Sequence, residues 1–131
     1  MTRLSYVDAS AIVKLVVLEE GSDAMLRWYV ESDRIATSRI GIIETTRAVR
    51  RRAHDPGRLR RVLGSIEVIE CDAIVGDRAG GLEPATVRTL DAIHVASALA
   101  LGAELDAFVT YDERLADAAR AAGLPAVAPA F

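Results

Sequence analysis

A chain of 131 residues that is 51% hydrophobic can bury a substantial core, which excludes a globally disordered protein. Its net charge of −3, from 16 basic and 19 acidic residues, argues against affinity for nucleic acid spread over the whole surface. The single cysteine, Cys71, excludes an internal disulfide and a cysteine-based zinc site, and no apolar run approaches the ~20 residues that span a bilayer. The expectation is one cytoplasmic domain over residues 1–131, because the first residues lack the apolar core of a signal peptide.

In chain order, Leu4-Ser5-Tyr6-Val7 reads as a strand that ends on Asp8. Ser10–Leu18 is apolar on most faces and predicts a buried helix, with Asp8 or Ser10 at its cap. Ser22 is placed to cap a helix running to about Glu31. Arg34–Thr37 predicts a strand, and Ser38 a cap for a helix from Arg39 to Ala53. Asp55-Pro56-Gly57 breaks the chain before a short helix, Arg58–Leu63. A strand at Ile66–Ile69 and a weak helix at Asp72–Gly80 follow. Leu90–Leu101 is an alanine-rich apolar helix, and Asp106–Thr110 a strand. Asp112–Ala122 is the last helix, closed by Gly123 and Pro125, and a short strand at Ala126–Val127 completes the set. Strands alternating with helices imply βαβ units and a mainly parallel sheet.

Three aspartates occupy chemically suggestive places in this pattern. Asp8 and Asp112 each follow a strand, so both fall at the carboxyl edge of the sheet, where open α/β folds bind ligands. Asp91 opens a helix with almost no polar face, so its carboxylate is expected to point into a cleft. Each has an ordinary structural alternative: Asp8 and Asp112 suit helix N-caps, and an acid in a first turn is favoured by the helix dipole. Glu44 interrupts Ile40-Gly41-Ile42-Ile43 and is either a border-of-core acid or an exposed partner of Arg47. His94, one turn after Asp91, reads as a packed, hydrogen-bonded core residue. Gathered carboxylates repel one another unless a cation joins them, and an all-oxygen donor set selects Mg²⁺ or Mn²⁺. Ser10 and Thr110 are candidates to orient the acids or their waters.

The basic residues are unevenly placed. Seven arginines, Arg47, Arg50, Arg51, Arg52, Arg58, Arg60 and Arg61, stand in one stretch with one acid, Asp55. Such a stretch is either a solvated helix face or a local polyanion site, and Arg47, Arg50, Arg51 and Arg52 are the candidates for that contact.

Tyr6-Val7-Asp8-Ala9-Ser10-Ala11, a mid-helix Glu44, Leu90-Asp91-Ala92-Ile93-His94-Val95-Ala96-Ser97-Ala98 and Thr110-Tyr111-Asp112-Glu113-Arg114-Leu115 resemble the PIN domain, in the order and spacing of its VapC-type ribonuclease toxins. The resemblance covers essentially the whole chain. It implies a three-layer α/β/α sandwich with a central, mainly parallel sheet. It also implies a Mg²⁺- or Mn²⁺-dependent endoribonuclease, homodimeric and held inactive by a small cognate antitoxin. Carried over by position, Asp8, Glu44, Asp91 and Asp112 form its acidic quartet, with Asp8, Asp91 and Asp112 at the metal. Three other readings compete. A phosphatase with Asp8 as nucleophile usually has a second acid two residues on, where this chain has Ser10. A receiver domain needs paired acids after its first strand and a lysine after its last, whereas the one lysine here is Lys14. A PIN-like fold that binds RNA or protein without cutting remains open.

Overall fold

Leu4, Ser5, Tyr6 and Val7 are all buried, as a strand covered on both faces requires. The computed structural model describes residues 3–131 and places this strand, β1 (Leu4–Val7), at the centre of one sheet. The other strands are β2 (Arg34–Ser38), β3 (Glu67–Ile69), β4 (Leu105–Val109) and β5 (Ala126–Val127). All pair in parallel, in the order β3-β2-β1-β4-β5. The helices are α1 (Ala9–Val16), α2 (Ser22–Glu31), α3 (Arg39–Arg50), α4 (Pro56–Gly64), α5 (Ala73–Gly80), α6 (Thr89–Leu99) and α7 (Glu113–Ala121).

Alternation along the strands divides the core between two faces. Val7 and Val109 point to one side, where they meet Ile12 and Leu15 of α1, Met25 of α2, Val49 of α3 and Val62 of α4. Tyr6 and Phe108 point to the other, against Val95 and Ala98 of α6 and Leu115 of α7. Tyr6 and Phe108 stack with ring centroids 5.0 Å apart. The architecture is therefore three-layered, α/β/α, as the resemblance implies, and its sheet is parallel, as the alternation of strands and helices predicts.

Local differences from the predicted boundaries have identifiable causes. Ser22 does not cap α2. Gly21, in the left-handed region at φ +87°, is the capping residue, and buried Ser22 braces the preceding turn instead. Its hydroxyl donates to the Val17 carbonyl at 3.1 Å and accepts from the Glu19 amide at 2.9 Å. Helix α3 stops at Arg50 rather than Ala53, because nothing beyond Val49 is buried before the next break. Helix α4 starts earlier than predicted: Asp55 accepts from the Gly57 amide at 2.8 Å and Pro56 supplies the first helical residue. Ser38 caps α3 as expected, accepting from the Gly41 amide at 3.1 Å. A side chain at Gly41 would collide with Thr37, so glycine lets α3 turn tightly off β2 and carry Glu44 inward.

Candidate active site

Connections leave β1 toward β2 and β3 on one side, while β4 and β5 fill the other. The gap between the carboxyl ends of β1 and β4 is thus the point where strand order reverses, the usual ligand position in open α/β sheets. Val7 pairs with Val109, so Asp8 and Thr110 step off the two strands side by side.

Asp8 is 4% exposed, and both of its carboxylate oxygens accept hydrogen bonds. Its Oδ1 accepts from the Ser10 hydroxyl at 2.7 Å and the Ala11 amide at 3.1 Å, and its Oδ2 accepts from the Thr110 hydroxyl at 2.7 Å. The same hydroxyls accept in turn from the loop after β4: Ser10 from the Tyr111 amide at 2.9 Å, Thr110 from the Asp112 amide at 3.0 Å. Two hydroxyls thereby tie the loop that carries Asp112 to the carboxylate of Asp8. Capping and site-building are not alternatives here, since Asp8 caps α1 through the Ala11 amide while facing the edge of the sheet. Burial pushes its pKa above the ordinary carboxylate range, although Ser10, Thr110, His94 and the Ala11 amide oppose the shift.

Asp91 is different. Among the described residues its carboxylate has no hydrogen-bond or ion-pair partner. Partial burial pushes its pKa up, and the negative charge of Asp112 adds to that, against the favourable charges of His94, Arg114 and Arg88. Asp91 and Asp112, distant in sequence, thus share one electrostatic environment. Asp112 caps α7 through Oδ1, which accepts from the Arg114 amide at 2.9 Å and the Leu115 amide at 3.3 Å. Its Oδ2 is left without a partner among the described residues.

Glu44 does not pair with Arg47. Its Oε1 lies 2.7 Å from His94 Nε2, and His94 Nδ1 lies 2.7 Å from the Tyr6 hydroxyl. His94 is 2% exposed, so it is the packed, hydrogen-bonded residue that its helix predicts. What the sequence does not disclose is its partner. His94 thus links the Glu44 carboxylate to the Tyr6 hydroxyl through its two ring nitrogens. Burial holds the Tyr6 hydroxyl well above the ordinary phenol range, so it stays protonated at any physiological pH. Tyr6 and His94 are thus the site components that sequence reasoning missed. The available signals were positional: His94 lies one turn after Asp91, and Tyr6 lies two residues before Asp8.

The arginine stretch is divided. Arg47, Arg50 and Arg51 line an open cleft of about 290 Å³. Arg52 turns away and pairs with Glu19, which also takes Lys14 at 3.0 Å. Arg58 Nε donates to the Leu15 carbonyl at 2.6 Å and braces α4 against α1.

The acids and hydroxyls offer oxygen donors only, the set that suits Mg²⁺ or Mn²⁺. Among the described residues, no three His, Cys, Asp or Glu side chains stand close enough to cage an ion. Asp8, Asp91 and Asp112 therefore form no closed three-ligand site. Mg²⁺ does not demand one, because it keeps several waters and takes one or two carboxylates plus substrate phosphate. The unpartnered, partly buried Asp91 carboxylate beside Asp112 is where a cation would relieve like-charge repulsion, and the residues present fit such an ion.

The chain belongs to the PIN-domain family: the PIN domain model matches residues 5–121. Within that family it is similar along nearly its whole length to Ribonuclease VapC46 of Mycobacterium tuberculosis, at 41% identity over 95% of this chain and 96% of the relative. The fold also matches solved structures at low identity. The crystal structure of Mycobacterium tuberculosis VapC20, described as a sarcin-ricin loop cleaving toxin, superimposes with a TM-score of 0.72 at 18% identity, covering 95% of this chain and 99% of that one. VapBC2 from Rickettsia felis, solved bound to a DNA fragment from its promoter, gives a TM-score of 0.67 at 16% identity, covering 97% and 99%.

Proposed function

We propose that this protein is a Mg²⁺- or Mn²⁺-dependent endoribonuclease that hydrolyses RNA phosphodiester bonds. We further propose that it acts as the toxin of a toxin–antitoxin pair, as a homodimer. The observation that supports the chemistry best is Asp8, fixed by two hydroxyls and an amide at the switch point of the sheet, in a chain 41% identical to a protein named a ribonuclease.

Asp8 and Asp91 would hold the cation, and Asp112 would complete the acidic rim. When bound, the ion supplies Lewis-acid activation of the phosphodiester and lowers the pKa of water. Ser10 and Thr110 fix the Asp8 carboxylate in one orientation, which removes a reorganisation step from the reaction. Glu44 keeps Oε2 free while His94 holds Oε1, so Oε2 is the oxygen to accept a proton from attacking water. The water oxygen forms a new bond to phosphorus as the bridging ester oxygen leaves and takes a proton from solvent, without a covalent enzyme intermediate. Arg47, Arg50 and Arg51 would hold flanking phosphates, whereas Arg52 is already occupied by Glu19.

The decisive experiment incubates purified protein with total RNA in Mg²⁺, in Mn²⁺ and in EDTA, beside Asp8→Asn. Cleavage that needs the metal and Asp8 is expected; equal cleavage in EDTA overturns the mechanism. For the toxin role, expression alone should arrest growth, and a small co-expressed partner should relieve the arrest. A protein that is active, folded and harmless would remove the toxin assignment and leave the nuclease.

A further inference from the structure

Asp91 is also one wall of a second cleft, of about 340 Å³, between the loop preceding α6 and the outer face of α7. Its walls are apolar: Pro84 and Val87 come from the loop, Ala118 and Ala121 from α7. Arg88 and Arg114 line the same cleft, and among the described residues neither guanidinium has an ion-pair or side-chain hydrogen-bond partner. Asp117, the cleft's other acid, lies 3.7 Å from Arg120 and is partly neutralised there. The volume sits near the lower end of the range for small-molecule sites, roughly 300–1,000 Å³, which suits one nucleotide rather than a duplex or a folded partner.

Charge gives the cleft its meaning. A polyanion approaching Asp8, Asp91 and Asp112 meets carboxylates of its own sign, so cations must flank them. Arg47, Arg50 and Arg51 form a separate cleft on α3, whereas Arg88 and Arg114 stand beside Asp91 itself. Guanidinium planes can pair with phosphate and also stack on a base. Apolar walls between two free arginines match a unit that is flat and apolar on its faces and anionic at one end.

We infer that this cleft is a nucleotide subsite: Arg88 and Arg114 hold the phosphate next to the scissile one, and its base lies between Pro84 and Val87 on one side and Ala118 and Ala121 on the other. Asp117 sets the direction, because it repels phosphate and leaves the N–H edge of the base facing it. The inference rests on the ribonuclease reading for its RNA context, but its binding chemistry can be tested without cleavage.

The experiment is an NMR titration of the full chain in EDTA with the four nucleoside 5′-monophosphates, ribose 5-phosphate and inorganic phosphate. Amide shifts should concentrate at Val87, Ala118 and Ala121. Ribose 5-phosphate, which lacks a base, should bind about tenfold more weakly than a nucleotide, the scale of losing the base's apolar burial against the cleft walls. Ala121→Trp fills the cleft from an exposed position and should abolish that difference. Arg88→Gln with Arg114→Gln should weaken all the phosphates together, and a melt of each variant checks its folding. Shifts confined to Arg47–Arg52, equal binding of ribose 5-phosphate, or no effect of a folded Ala121→Trp would overturn the subsite. Nucleotide binding here by a protein that cuts no RNA would support the subsite and overturn the nuclease reading. Cleavage by a protein whose cleft binds no nucleotide would do the reverse.

Discussion

Asp8 and Asp91 are acids of one candidate site, yet the fold treats them in opposite ways. Asp8 is buried where β1 and β4 end and accepts from two hydroxyls and an amide. Asp91 sits half-exposed in the first turn of α6, with burial and Asp112 working against its ionised form. One carboxylate is over-determined by the protein and the other is left under-determined. The difference teaches that the sheet edge fixes one carboxylate with the protein's own hydrogen bonds, while the helix tip leaves the other without a partner among the described residues.

Activity offers the largest contrast to test. Asp8→Asn and Asp91→Asn should each lower RNA cleavage about a hundredfold or more, the scale of losing a preorganised electrostatic group. Stability should move in opposite directions. Asp8→Ala removes a helix cap, about 1 kcal/mol, and strands the Ser10 and Thr110 hydroxyls, so its denaturation midpoint should fall. Asp91→Asn should melt above the wild type in EDTA at neutral pH. If both variants were destabilised alike, the distinction between the two acids would collapse.

The supporting groups come next. Thr110→Val and His94→Phe should each reduce cleavage about tenfold to a hundredfold, as losing an orienting partner does. His94→Gln can still donate to Glu44 and should recover part of the activity. Full activity in His94→Phe would show that the Tyr6–His94–Glu44 chain serves packing alone.

The pH dependence follows from the raised carboxyl pKa values of Asp8 and Asp91. A folded state that binds protons more tightly than the unfolded chain loses stability as pH rises. The loss begins near the unfolded carboxylate pKa, about 3.9, and ends once pH passes the raised folded values. Metal-free wild type should therefore weaken through that window relative to Asp91→Asn, by urea titration at successive pH values. Converging curves on acidification are expected; parallel curves would mean that Asp91 carries no raised pKa.

The arginines give the smallest effect. Replacing Arg47, Arg50 and Arg51 with Gln should reduce the salt slope of RNA binding by roughly two units, at about 0.7 per phosphate contact for single strands. Arg52→Gln, which breaks only the pair with Glu19, should leave the slope nearly unchanged.

Much of this contrast is legible in the sequence. Strand-ending acids announce Asp8 and Asp112, because a buried apolar run must finish at an edge, and the polar-poor helix after Asp91 announces a cleft. The parallel sheet follows from strands alternating with helices along the chain. The bond between Glu44 and His94 is not legible, because α3 and α6 meet only through the tertiary fold and helical periodicity is blind to a partner fifty residues away. The double duty of Asp8 is hidden for another reason: an acid between a strand and a helix signals a cap and a site equally, and one carboxylate has enough lone pairs for both. Gly21 in place of Ser22 at the start of α2 reflects turn geometry that a serine signal masks.

Thermal melts of wild type and Asp91→Asn, each in EDTA and in excess Mg²⁺, test the central claim most directly. A ligand stabilises only the state that binds it, by about 2.7 kcal/mol at a hundred times its dissociation constant. Mg²⁺ should raise the wild-type melting temperature and do little for Asp91→Asn, which should already melt higher in EDTA. An equal response of both proteins to Mg²⁺, with the variant less stable in EDTA, would contradict a cation shared by these acids and make Asp91 a structural residue.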